Sequence, residues 1–175
     1  MAISEIVTVR TDAGMLGLWC PAAFSAVDDY DSWETHVNER LLGAIATGDL
    51  VPLNIGSDGA WGVRVTSSAE ALSDRECPYE VVTSEPYLLV VSGGEARLSG
   101  IEYVGLSSNA PLRIPLAEGR YAVRSTIVAW DEEPGALGPD GRPSDDALTD
   151  IVVQILPEDG SEVYRTDEVT FDPPE

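Results

Sequence analysis

The chain has 175 residues, 43% of them hydrophobic, which suits one domain with a real core and excludes disorder of the whole. Thirty-one acids face ten basic residues, every one an arginine, for a net charge of −21; such a surface repels nucleic acid and anionic lipid and attracts a basic partner. No apolar run reaches the about 18 residues that cross a bilayer, and the opening Met1-Ala2-Ile3-Ser4-Glu5 has neither the basic nor the apolar part of a secretory signal, so no membrane partner and a cytoplasmic setting are expected.

Residues 3–9 read as a first strand and 15–19 as a second, separated by the turn Asp12-Ala13-Gly14 and ended by Pro21. Trp33, Val37, Leu41 and Ile45 then recur every fourth position, the signature of one apolar helical face. Asp31 or Ser32 is placed to cap that helix, Glu34 completes a capping box with Asp31, and Gly48 ends it, giving one α-helix over about 31–47. From residue 50 the period changes to two. Strands over 50–55 and 61–65 flank the turn Gly56-Ser57-Asp58-Gly59, and strands over 87–92 and 96–102 flank Gly93-Gly94; both pairs read as hairpins. A further strand is expected at 80–83. Another, 112–116, follows the turn Asn109-Ala110-Pro111. In the strand 120–130 the face of Tyr121, Val123, Ser125, Ile127 and Ala129 should look inward. The nearly continuous apolar run of 150–156 predicts a central, buried strand. The tail 157–175 offers edge strands near 163–164 and 169–171, and Pro173 and Pro174 end it. About nine short strands and one packed helix predict a mainly β single domain over 1–175, either an antiparallel β-sandwich or a twisted sheet.

The single histidine, His36, lies inside the predicted helix, and no serine sits in a nucleophile elbow, so no catalytic residue is assigned. Cys20 and Cys77 match no zinc or redox spacing and read as free thiols. The acids before the helix (Asp28, Asp29, Asp31) and around the long loop (Asp140, Asp145, Asp146, Asp150) miss the calcium-loop pattern, so neither a metal nor a cofactor is expected. Glu132 and Glu133 are adjacent, which on a strand aims them to opposite faces and not at one glycosidic bond.

Residues 131–147 break the strand pattern with prolines and glycines, six acids and a single arginine, and form a long exposed loop. An aromatic ring beside acids suits a basic protein partner, the ring supplying anchoring area and the acids steering. The candidate partner-binding residues are therefore Trp130, Asp131, Glu132, Glu133, Asp140, Asp145 and Asp146.

Residues 78–130 contain Pro78-Tyr79-Glu80-Val81, two strands, and then Leu112-Arg113-Ile114-Pro115-Leu116-Ala117-Glu118-Gly119-Arg120-Tyr121-Ala122-Val123. This stretch resembles the competence-type DNA-entry nuclease inhibitors, in which I-P-x-G-x-Y-x-L joins two strands of a small β-sandwich. Here the turn has one residue more, and Val123 stands in place of the leucine. The segment 33–65 is also similar to some uncharacterised acidic bacterial families, and the two stretches together cover about half the chain. The resemblance implies an acidic β-sandwich that binds and blocks a basic enzyme, and it transfers no site residue. The expected function is thus an acidic interaction module of the inhibitor or immunity type, not an enzyme, with a nuclease or toxin as partner. Two alternatives stand beside it: a small-molecule or carbohydrate-binding sandwich using Trp19, Trp61 and Trp130, and a surface that is acidic only as an adaptation to salt.

Overall fold

The computed structural model describes residues 2–106 and 112–172. Its ten strands are β1 (Ser4–Thr11), β2 (Met15–Trp19), β3 (Leu50–Asn54), β4 (Gly59–Thr66), β5 (Glu80–Thr83), β6 (Tyr87–Val91), β7 (Glu95–Gly100), β8 (Leu112–Pro115), β9 (Gly119–Val128) and β10 (Ile151–Pro157). They form two sheets. The first runs β1-β4-β10-β9, with β5 and β6 in succession along the outer side of β9; the second runs β3-β2-β7-β8. The mainly β sandwich read from the sequence is therefore present. Its pairings are antiparallel except for β10 alongside β4, which is parallel.

Both expected hairpins are corrected. β3 pairs with β2 in one sheet while β4 pairs with β1 and β10 in the other; likewise β6 joins β9 while β7 joins β2 and β8. The turns at Gly56 and at Gly93-Gly94 carry the chain across the sandwich instead of back along a neighbour. The reason lies in burial: each flanking strand offers an apolar set, and facing sheets bury both sets against each other. Val63, Val65, Val123, Ile151, Val153 and Ile155 from the first sheet share one core with Leu16, Leu18, Leu53, Leu98 and Ile114 from the second.

The central position of β10 matches its apolar run, with Ile151 to Ile155 all buried. β9 is buried on both faces, since Ala122, Thr126 and Val128 are covered as well as Val123 and Ser125. The extra cover over this sheet includes the segment 67–79. Gln154 donates to the carbonyls of Ser68 and Ala69, and Arg64 donates to Ala71 O and to both carboxylate oxygens of Glu76.

The helical segment spans the predicted region but is broken. One α turn, α1 (Tyr30–Trp33), runs into a wide π turn (Glu34–Asn38), and α2 (Leu41–Thr47) follows after Arg40 leaves helical geometry. The cap is Asp29, not Asp31. Its carboxylate accepts from Ser32 N at 2.8 Å and the Ser32 hydroxyl accepts from Asp29 N at 3.0 Å, so Ser32 takes the place of Glu34 in the box. The stripe still packs, with Val37 and Ile45 buried and Trp33 and Leu41 against the core. Gly48 ends α2 at φ +82°, where a Cβ would meet Leu88 and Val90 side-chain carbons below 3.0 Å.

α2 packs on β3 and β6 and so closes one open side of the sandwich. The rest of that side is closed by residues 158–172, which form no strand where edge strands were expected. They make an irregular strap instead. Thr170 is fully buried; its hydroxyl donates to Pro52 O and accepts from Asn54 N, which caps the outer edge of β3. Tyr87 OH reaches Asp167 O and Val169 O, Arg165 N donates to Pro86 O, and the Arg165 guanidinium pairs with Asp167 and with the carbonyls of Thr170 and Asp172. Burial pushes the Tyr87 phenol up to about 12, so it remains a donor at neutral pH. The expected turn 109–111 and the closing Pro173 and Pro174 lie outside the described residues. Among the described residues no helix is long and apolar enough to cross a membrane.

Candidate partner-binding site

Trp130 leaves the end of β9 on a single 3₁₀ turn, Trp130–Glu132. Its indole is fixed by Asp150, just before β10: Asp150 Oδ1 accepts from Trp130 Nε1 at 2.7 Å while Oδ2 accepts from Gly62 N, also at 2.7 Å. One carboxylate thus ties the ring to β4. Beyond the turn, the loop 131–147 folds on itself. Gly138 N donates to Arg142 O, Ser144 N donates to Ala136 O, and Ala136 is buried.

The loop acids divide into two kinds. Glu133 is held by Arg75 through two bonds of 2.6 and 2.7 Å, and the same guanidinium reaches Asp146 O. The hydrogen bonds from Arg75 hold the Glu133 carboxyl below the usual range. Asp140 lies 3.9 Å from the exposed Arg142, and Asp146 accepts from the Ser144 hydroxyl. Asp131, Glu132, Asp140, Asp145 and Asp146 are exposed, while Glu133 is half-buried.

Trp130 and Asp131 open onto a cleft of about 630 Å³. Trp61 on β4 forms another wall; Ile127 and Val128 come from β9, Val81 and Val82 from β5, and Val169, Phe171 and Asp172 from the strap. The pairing of β5 with β9 slips between Glu80 and Val82, and Val81 is left 60% exposed at the cleft. Of the seven residues proposed from sequence, only Trp130 and Asp131 reach the cleft; Glu132, Glu133, Asp140, Asp145 and Asp146 do not line it. Trp61 and Trp130 do share a site, but Trp19 does not join them. It is buried in the core, its Nε1 donating to Ser99 Oγ and Arg97 lying 5.7 Å over its ring. The strap's path brings Phe171 and Asp172 to the same cleft as Trp61, a meeting that nothing local in the sequence signals.

Cys20 is buried and Cys77 exposed, and both are free. Burial pushes the Cys20 thiol up to about 11, which leaves it unreactive. Among the described residues no group of three or more His, Cys, Asp or Glu side chains is gathered as metal ligands would be. Among the described residues eight arginines are ion-paired, to seven carboxylates, and most of the acids there face no cation.

Among solved structures the chain is similar to a protein described as "Crocagin biosynthetic gene J", with 17% identity, a TM-score of 0.60, and 90% of this chain and 97% of that one covered. It is also similar to ComJ from Bacillus subtilis, an inhibitor of the DNA-degrading activity of NucA, with 14% identity, a TM-score of 0.53, and 90% and 99% covered. The resemblance of residues 78–130 to the competence nuclease inhibitors is thereby borne out as a likeness of fold. No protein-family profile and no curated protein matches the chain.

Proposed function

We propose that the chain is an acidic interaction module of the inhibitor or immunity type, acting in the cytoplasm by covering a basic protein partner such as a nuclease. One observation carries the reading: a net charge of −21, with most of its arginines already neutralised internally, sits on a fold shared with an inhibitor of a DNA-degrading enzyme. A nuclease presents cationic surface to draw phosphates, and an acidic protein meets the same surface with the same sign of charge. The contact face is built from Trp130 and Asp131 with the neighbouring acids Glu132, Glu133, Asp140, Asp145 and Asp146, on a loop whose own hydrogen bonds reduce the ordering cost of binding. The module acts by occlusion and supplies no catalytic group. Titrating the purified protein into a basic DNA-entry nuclease from the same organism and following DNA degradation tests the proposal. Stoichiometric loss of cleavage is expected; undiminished cleavage at a large excess of the protein contradicts it.

A further inference from the structure

The composition of the cleft beside Trp130 selects its occupant. The walls are aromatic and aliphatic, while every charged group that lines it is a carboxylate: Asp131, Asp150 and Asp172. An anion would meet three like charges there. A neutral apolar group would draw the Asp131 and Asp172 carboxylates out of water with nothing to pair them. A cation on a long apolar stem matches both features, its stem on the rings and its head among the acids. Arginine matches best, because its planar guanidinium stacks on an indole face and forks onto a carboxylate at the same time. The chain already uses this pairing once, where Arg97 lies over Trp19 and donates to Glu95.

The site is also set before anything binds. Asp150 fixes the Trp130 ring through the indole N–H. The Trp61 indole nitrogen is buried and pairs with no group among the described residues, so the ring presents apolar surface to the cleft. The exposed Val81 extends the apolar surface outward from the cleft.

We infer that this cleft is the anchor pocket for one arginine side chain of the basic partner; the inference rests on the inhibitor reading for its partner but not for its chemistry. The test uses two capped tripeptides, acetyl-Gly-Arg-Gly-amide and the same peptide with citrulline, which keeps the shape of arginine and removes its charge. Tryptophan emission of the full chain is followed on titration, and then that of the double variant Asp131→Asn/Asp172→Asn and of Trp61→Phe. Asp131 and Asp172 make no side-chain hydrogen bond within the described residues, so the double variant should keep the unfolding temperature of the parent. Saturable binding of the arginine peptide is expected, with the citrulline peptide and the double variant each weaker by about tenfold. Equal binding of both peptides would overturn the inference in favour of a neutral ligand, such as a sugar. Absence of saturation, or binding unaltered in both variants, would also overturn it. The nuclease assay separates the two readings. Inhibition retained in full by the double variant and by Trp61→Phe leaves the inhibitor and removes the pocket. Selective peptide binding without inhibition leaves the pocket and removes the nuclease.

Discussion

Asp150 is a single carboxylate with two obligations. Trp130 Nε1 occupies one oxygen and Gly62 N the other, so Asp150→Ala strands two donors and frees the ring at once. Urea unfolding should show a loss of about 2 kcal/mol, with Asp150→Asn losing less because one acceptor oxygen survives. Glu76 has a similar position on the outer face of the first sheet. Only 3% of it is exposed, and it accepts from Arg64 at 2.5 and 2.7 Å and from Ser73 N and Oγ. Burial alone would raise its carboxyl, but the Arg64 and Ser73 hydrogen bonds outweigh burial and hold it below its ordinary 4.5. The folded state therefore favours the ionised form. Its contribution is complete above about pH 4.5 and is lost as the pH falls through the lowered folded value. Glu76→Gln should be less stable than the parent by about 2 kcal/mol at neutral pH, and unfolding curves of the two should converge as the pH drops below that point.

At the scale of elements, the strands and the helical stripe were legible because burial leaves a period in the sequence. Trp33, Val37, Leu41 and Ile45 announced a packed face even though the helix beneath them breaks at Arg40. Partner choice between strands leaves no such period. The pattern around Gly56 and Gly93-Gly94 is the same whether a turn folds a hairpin or crosses between sheets, and only the facing sheet decides. The cleft was half legible. Trp130 and Asp131 advertised themselves beside an acidic loop, whereas Trp61 and Phe171 reach the site from β4 and from the strap. The strap itself was unreadable as such because its fastening is polar and single: Thr170 to Pro52 and Asn54, Arg165 to backbone carbonyls. Thr170→Val, nearly the same shape without the hydroxyl, should cost about 2 kcal/mol. Hydrogen exchange should show faster loss at the Asn54 amide, while protection in β10 falls only with global stability.

At the scale of the molecule, charge is the dominant feature. A net charge of −21 on 175 residues repels itself, and the internal ion pairs absorb most of the arginines without offsetting the excess. If that excess serves recognition, association with a basic partner must depend on ionic strength, since at about 0.15 M salt the screening length is only about 8 Å and exposed carboxylates act over short range. If it serves solvation alone, salt should alter stability and leave partner binding untouched.

The most direct measurement is the dissociation constant for a basic nuclease of the chain's own organism, taken across a salt series from about 0.05 to 0.5 M. Tight one-to-one binding is expected at the low end. Its association rate should fall steeply with salt while dissociation changes little, and the fraction of nuclease bound should match the fraction of DNA cleavage lost. No binding at any salt, or binding whose association rate is flat across the series, would contradict it.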